Sequence, residues 1–150
     1  MMLRLDAFLP YRLSVASNAV STLISASYRK RFGLKVPEWR LIAILAEGSE
    51  MTPQALGSCA RIDKISVSRA ATALIERGLV VARNNPGDGR SHLLALTPEG
   101  RSLYDEIAPL ALAMEAELLS SFSEQEHLLL AALLRRIETA AGANSVSVSI

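Results

Sequence analysis

Short hydroxyl side chains and cations recur close together in the stretch 61–72, which reads RIDKISVSRAAT. These side chains donate hydrogen bonds, and they are small enough to sit between a protein backbone and an anionic partner. The chain contains none of the motifs G-x-x-x-x-G-K-[ST], H-E-x-x-H or G-x-S-x-G, so nothing points to an enzyme. The stretch favours binding chemistry, with Lys64, Ser66, Ser68, Arg69 and Thr72 as candidate contacts.

A second group of polar residues, NNPGDGRS at 84–91, lies between two short apolar runs. The run before it is LVVA at 79–82, and the run after it is LLAL at 93–96. Two apolar runs around a cluster of turn-forming residues predict two strands joined by a hairpin loop. Residues 84–91 are therefore expected to form the loop.

Charged residues mark this predicted loop. Arg83 stands at its entrance, and Arg90 is expected at its tip. Asp88 could hold the guanidinium of Arg90 through a bidentate ion pair, and Gly87 and Gly89 permit the unusual backbone angles that a tight tip needs. The alternative is an ordinary flexible hairpin, whose surface ion pair contributes little.

Helix signals occupy most of the remaining chain. Thr52, Asp63 and Ser123 are suitable N-caps, while Gly33 and Gly78 are suitable helix stops. The sequence predicts a mostly α fold with one small β-hairpin. The predicted helices cover residues 10–32, 37–46, 53–60, 63–77, 97–120 and 123–140, and residues 141–150 are expected to be a loose, flexible tail.

The third and fourth predicted helices, with a tight break at 61–62, indicate a helix-turn-helix. One face of the fourth helix is apolar and can pack on Leu56 and Ile62, while the opposite side carries hydroxyls and cations suited to DNA. A hairpin directly after this unit makes a winged helix, whose wing could place Arg90 in a minor groove. A solvated helix and a winged helix used for protein–protein contact are the alternatives. The apolar face is Val67, Ala71, Leu74 and Ile75.

Three stretches resemble the MarR-type (multiple antibiotic resistance regulator) family of transcription factors. They are PEWRLIAIL at 37–45, IDKISVSRAATALIERGLV at 62–80 and DGRSHLLALTPEG at 88–100, and their order and spacing are similar to the family across nearly the whole chain. The resemblance implies an obligate homodimer in which the N- and C-terminal helices interleave. The implied winged-helix lobe covers residues 34–98, and the implied dimerisation helices cover 1–33 and 99–140.

The resemblance also implies a function. The chain is expected to be a repressor that binds a pseudo-palindromic double-stranded DNA operator and that a small aromatic or lipophilic effector releases. Tyr11, Arg12 and Trp39 are the candidate effector-binding residues, although a core position is the favoured interpretation of Trp39, because buried aromatic rings usually serve packing. The expected DNA-binding set is Lys64, Ser66, Ser68, Arg69, Thr72, Arg83, Asp88 and Arg90.

Three positions depart from the family pattern. Arg61 stands where a turn glycine is common, and Gly57 stands where a small alanine is common. The peroxide sensors of the family carry a reactive cysteine near the start of the first helix, whereas the only cysteine here is Cys59. The spacing of Cys59 places it near the core side, which favours a structural role over a sensor role.

Composition excludes several classes of protein. The chain has 150 residues, of which 50% are hydrophobic and 21% charged, as expected for one globular domain. One unpaired cysteine, the lack of a signal peptide and the lack of a long apolar run predict a cytoplasmic protein that does not enter a membrane. His92 and His127 lack the spacing of metal ligands, so no metal or cofactor is expected, although His92 could touch a phosphate.

The charges are distributed unevenly. Residues 1–50 carry seven basic and four acidic groups, and residues 51–98 carry six and three, whereas residues 99–150 carry three and eight. A basic front and an acidic end favour one surface that attracts polyanions. Ordinary scatter of solvated charges is the alternative.

Overall fold

The computed structural model describes the backbone of residues 1–147 and the side chains of residues 1–142. Over this part of the chain the fold is mostly helical with one antiparallel hairpin, which confirms the predicted fold class. No helix in the described part is long and apolar enough to cross a membrane. After a 3-10 helix at Leu5–Ala7 the elements are α1 Leu9–Ser25, α2 Arg29–Phe32, α3 Val36–Glu47, α4 Pro53–Ala60, α5 Lys64–Glu76, β1 Val80–Asn85, β2 Asp88–Leu96, α6 Pro98–Leu118 and α7 Glu124–Ser147.

The hydrophobic core lies where α3, α4, α5 and the hairpin meet. Leu41 of α3, Leu56 of α4 and Leu74 of α5 are almost completely buried there, together with Leu94 of β2. A hairpin of two strands is not stable alone, so this packing holds it in place. The chain divides into two compact units within α6, the second beginning at Glu115, and the whole of this core belongs to the first unit.

The first predicted helix is interrupted. The hydroxyls of Ser25 and Ser27 donate hydrogen bonds to the carbonyl groups three residues earlier, at 2.9 and 2.6 Å. Hydroxyls that bond to the nearby backbone compete with regular helix, and α1 ends here. The chain then passes through the buried Tyr28 into the short α2, which ends at Gly33 with a φ of 66°. The single helix expected over 10–32 is therefore two helices.

The hairpin is longer than predicted, and its loop is shorter. β1 ends at Asn85 and β2 begins at Asp88, so only two residues form the turn, and the prediction of a loop over 84–91 is wrong. The strand register changes between Asn84 and Asn85, which leaves residues 89–91 of β2 as a bulge. The polar residues near the turn thus form backbone pairs between the two strands. A bulge also changes the direction in which its side chains point, here those of residues 89–91.

The last helix is also longer than predicted. The hydroxyl oxygen of Ser123 accepts a hydrogen bond from the N–H of Glu126 at 3.1 Å, as expected for an N-cap. From there α7 continues to Ser147. The loose tail expected over 141–150 is thus helical as far as Ser147, and residues 148–150 lie outside the described residues.

The start of α6 approaches the hairpin closely. Gly100 is buried, and a Cβ atom at this position would overlap the carbonyl oxygen of Leu79. The N–H of Gly100 donates to Oγ1 of Thr97 at 3.0 Å, and the Thr97 hydroxyl donates to the carbonyl oxygen of Gly78 at 2.7 Å. The run LTPEG therefore combines an N-cap, a first-turn proline and a glycine at the point of closest backbone approach.

We expect Gly100→Ala to lower the free energy of unfolding by about 1–3 kcal/mol, because the added methyl group must displace a backbone carbonyl. The matched control is Gly142→Ala in α7, where a Cβ would meet nothing within 4 Å, so that helix propensity alone should leave stability equal or higher. Urea denaturation at equal protein concentration measures both changes. Equal stability of wild type and Gly100→Ala would contradict the close approach.

Candidate nucleic-acid interface

α4 and α5 are joined by a short turn with fixed geometry. Thr52 caps α4 by accepting a hydrogen bond from the N–H of Ala55 at 3.1 Å. Arg61 ends α4 in the left-handed region, with φ 54° and ψ 46°. This conformation costs a residue other than glycine roughly 1 kcal/mol, and it occurs at the position where the resemblance led us to expect a turn glycine. The turn is therefore formed despite the substitution.

Gly57 explains how the two helices come so close. A Cβ atom at this position would lie 3.2 Å from the carbonyl oxygen of Ile62 and 3.2 Å from a methyl group of Val67. The N–H of Ile62 also donates to the carbonyl oxygen of Gly57 at 3.0 Å. Glycine thus leaves room for the turn to fold back on α4, in a place where an alanine would force a small shift.

Asp63 begins α5. Its Oδ1 accepts a hydrogen bond from the N–H of Ser66 at 2.9 Å, and its Oδ2 accepts one from the Ser66 hydroxyl at 2.7 Å. These bonds stabilise the carboxylate and hold the pKa of Asp63 below its ordinary value of 3.8. Ser66, predicted to contact DNA, is half-buried as a residue, and its hydroxyl is engaged with the cap of its own helix.

The outer face of α5 carries an exposed stripe. Lys64, Ser68, Arg69 and Thr72 are all exposed, as predicted for residues that contact DNA. Ile65 lies on the same stripe and is 65% exposed; sequence reasoning missed it because the interface was sought among polar side chains. On the inner face Val67, Ala71 and Leu74 are buried as predicted, but Ile75 is 41% exposed instead of packing in the core.

Arg90 lies in the bulge of β2 and is exposed. The N–H of Arg90 donates to Oδ1 of Asp88 at 3.0 Å, so the predicted ion pair between the two side chains is wrong. Asp88 braces the backbone, because a carboxylate two residues before an N–H forms a local turn more readily than a bridge to a long guanidinium. Gly87 and Gly89 have no positive φ, so the predicted need for unusual angles at the tip is also wrong.

The cations of this surface differ in their partners. A guanidinium nitrogen of Arg83 lies 3.7 Å from a carboxylate oxygen of Glu50. Among the described residues, Lys64, Arg69 and Arg90 form no salt bridge. Three of the four candidate cations are therefore free to meet an external anion, and Arg83 is partly neutralised.

A groove of about 770 Å³ separates α5 from the hairpin. It is lined by Ser68 and Thr72 of α5, by Ala82 and Leu94 of the hairpin, and by part of α4. His92, which could contact a phosphate, is exposed and lines the hairpin side of this groove. The groove thus joins the stripe on α5 to the hairpin.

The candidate effector residues are spread over two helices. Tyr11 and Arg12 are exposed on α1. Trp39 is half-buried on α3 and stacks between Tyr28 and Tyr104, with ring centroids 5.6 and 5.8 Å apart. Trp39 packs against the core, as the favoured interpretation predicted, and it is only partly buried there.

Cys59 is exposed on α4, so the prediction of a buried position near the core is wrong. In an eight-residue helix the spacing alone places Cys59 next to the buried Leu56 and Ala60, and only packing decides which side turns outward. A ring nitrogen of His127 lies 3.0 Å from the carbonyl oxygen of Leu119. Within the described residues no three His, Cys, Asp or Glu side chains cluster as they would around a metal ion.

A helix-turn-helix followed by a paired hairpin defines this chain as a winged-helix protein. Residues 32–91 match the model of the MarR family. The homoprotocatechuate degradative operon repressor of Escherichia coli is 34% identical over 76 residues, which are 51% of each protein. The chain spans about half the length of such curated relatives, 48% in one case and 51% in another.

Solved structures match over nearly the whole chain. A MarR/EmrR family transcriptional regulator from Acinetobacter sp. ADP1 has a TM-score of 0.85 at 26% identity, covering 94% of this chain and 99% of that one. NadR in complex with 4-hydroxyphenylacetate has a TM-score of 0.76 at 28% identity, covering 91% and 96%. The chain is therefore similar to transcriptional regulators of the MarR family, over residues 32–91 by the family model and over nearly its whole length by the solved structures.

The cap of α5 leads to a pH-dependent prediction. Because the folded-state pKa of Asp63 is lowered, its contribution to stability is present above the ordinary carboxyl pKa of 3.8 and is lost as the pH falls through the lower folded value. We expect Asp63→Ala to lower the Tm at neutral pH and this deficit to shrink below about pH 4. Thermal melts across this pH range measure the effect.

The control is Asp63→Asn, because asparagine caps a helix nearly as well as aspartate but does not titrate. The Tm of Asp63→Asn should stay close to that of wild type at neutral pH. Below about pH 4 the Tm of wild type should fall relative to that of Asp63→Asn, because only the aspartate is protonated. An Asp63→Ala deficit that stays constant down to the lowest pH would show that the carboxylate does not cap α5.

Proposed function

We propose that the chain is a cytoplasmic repressor that binds double-stranded operator DNA through α5 and the hairpin. The exposed stripe of α5 fits the major groove, where short hydroxyls and an arginine can reach phosphates and base edges. The observation that carries the proposal is that Lys64, Arg69 and Arg90 are exposed without a carboxylate partner in the described part of the chain. Unpaired cations on one surface release counterions when they meet DNA phosphates.

The hairpin supplies the second contact of this proposal. The bulge that holds Arg90 is exposed, and the Asp88 carboxylate braces its backbone. Arg90 would therefore reach a flanking minor groove or phosphate on a rigid support, with its guanidinium free. Arg83 would contribute only after it leaves Glu50, an exposed pair that is easily exchanged for a phosphate.

We expect Arg90→Ala to weaken operator binding by about 1–3 kcal/mol and, if the contact is mainly to phosphate, to lower the salt slope of binding by about one unit. Asp88→Ala should be milder, because it removes the brace and leaves the cation in place. Gel-shift titrations over a series of salt concentrations measure both variants, on a duplex first selected from a random pool with wild type.

Folding is the control, and thermal melts of Arg90→Ala should resemble wild type because the side chain is exposed. An Arg90→Ala protein that binds as tightly as wild type at every salt concentration would disprove the role of the hairpin. If the wild type selects no duplex at all, the alternative of a protein–protein interaction module would replace the proposed function.

We further propose that the protein acts as a homodimer on a pseudo-palindromic operator. α1 and α7 each leave large apolar side chains exposed, such as Leu9 at 72% and Leu128 at 67%, and a folded monomer would not keep these in water. A two-fold dimer would place two α5 helices about 10 bp apart. A stable monomer in sedimentation at micromolar concentration would contradict this proposal.

We also propose a small aromatic effector that releases the DNA. Support comes from NadR, whose solved structure holds 4-hydroxyphenylacetate, and from the partly exposed ring of Trp39 beside Tyr28 and Tyr104. Tyr11 and Arg12 remain the other candidates for the binding site. Titration of the DNA complex with 4-hydroxyphenylacetate and related aromatic acids tests the proposal, and undiminished DNA binding throughout would count against it.

A further inference from the structure

A large aliphatic side chain stands in the middle of the polar stripe on α5. Ile65 is the second residue of the helix and is 65% exposed, whereas Val67, two residues later, is 2% exposed. Ile65, Ser68, Arg69 and Thr72 follow the spacing of one helix face, and all four are exposed. Ile65 therefore belongs to the surface that would enter the major groove.

Nothing within the described fold makes use of this side chain. The groove between α5 and the hairpin is lined by Ile75 but not by Ile65. The core is built from the opposite face of α5, through Val67, Ala70 and Leu74. The exposed apolar residues of α1 and α7 lie on other elements and carry the proposed dimer contact. No described element covers the Ile65 side chain, so a binding partner of α5 would be the group that covers it.

We infer that Ile65 reads thymine by packing against its C5-methyl group. In the major groove this methyl is the one apolar group on the base edges, and an aliphatic side chain is its complement. A polar donor such as Arg69 instead prefers the acceptor edge of guanine. Because isoleucine in a helix has one strongly preferred χ1 rotamer, little side-chain freedom would be lost on contact.

This inference rests on the proposed function and adds a determinant of sequence preference to it. The duplex selected from a random pool by wild type is resynthesised with each thymine in turn replaced by uracil, which lacks only the methyl group. We expect one thymine in each half-site at which uracil weakens wild-type binding by about fourfold, the value of one buried methyl group. Gel-shift titration at fixed salt measures the ratio.

Two variants make the test specific. With Ile65→Ala the thymine and uracil duplexes should bind equally at that position, since the contact is absent from both. With Arg90→Ala binding should weaken on both duplexes while the fourfold ratio is kept, because Arg90 lies on the hairpin and not on α5. Ile65→Val, which keeps a branched side chain, should retain part of the ratio.

Several outcomes overturn the inference. One is that wild type shows no uracil-sensitive position in its selected duplex. Another is that the uracil effect persists in Ile65→Ala, which would assign it to DNA shape or to another residue. If wild type enriches no duplex, the proposed function itself fails, and the inference about Ile65 fails with it. If wild type enriches a duplex but shows no uracil-sensitive position, only the inference fails. The selection step therefore distinguishes the two failures. Melting curves of Ile65→Ala should match wild type, because the side chain is exposed.

Discussion

Burial of the inner face of α5 is the interaction on which the rest of the structure depends. Val67, Ala70, Ala71 and Leu74 pack into the core formed with α3, α4 and the hairpin. A fully buried leucine stabilises the fold by about 1.5–3 kcal/mol, so rotation of α5 about its own axis would be costly. The same burial therefore decides which residues of α5 face outward. The proposed interface is the face of α5 opposite to the one that packs in the core.

Backbone geometry at both ends of α5 supports this orientation. In the turn before α5, the backbone of Arg61 adopts the left-handed conformation. Gly57 has no side chain, which lets α4 and α5 approach closely. After α5, Gly78 has a φ of 71° and its carbonyl accepts the hydroxyl of Thr97 at the start of α6. The orientation of the exposed stripe on α5 is thus fixed by backbone hydrogen bonds and close packing as well as by the buried apolar face of the helix.

Local signals in the sequence were sufficient where one residue decides the backbone. Thr52 and Asp63 begin α4 and α5 as predicted, since an N-cap side chain satisfies N–H groups within its own turn. The break after Ser25 was missed because a serine that bonds back to a carbonyl looks identical, in sequence, to one that faces solvent. The hairpin loop was overestimated because polar residues can pair in a ladder whenever a partner strand is present.

The sequence by itself determined the helix-turn-helix, the hairpin and the outer position of Lys64, Ser68, Arg69 and Thr72, because caps, glycines and the period of a helix act over a few residues. Tertiary structure alone decided that Cys59 turns outward and that Ile65 stays exposed. An apolar residue is buried only if another helix or strand packs over it. The neighbouring sequence does not show whether such an element is present. For the same reason the partner of Asp88 proved to be a backbone N–H, chosen by the path of the bulge.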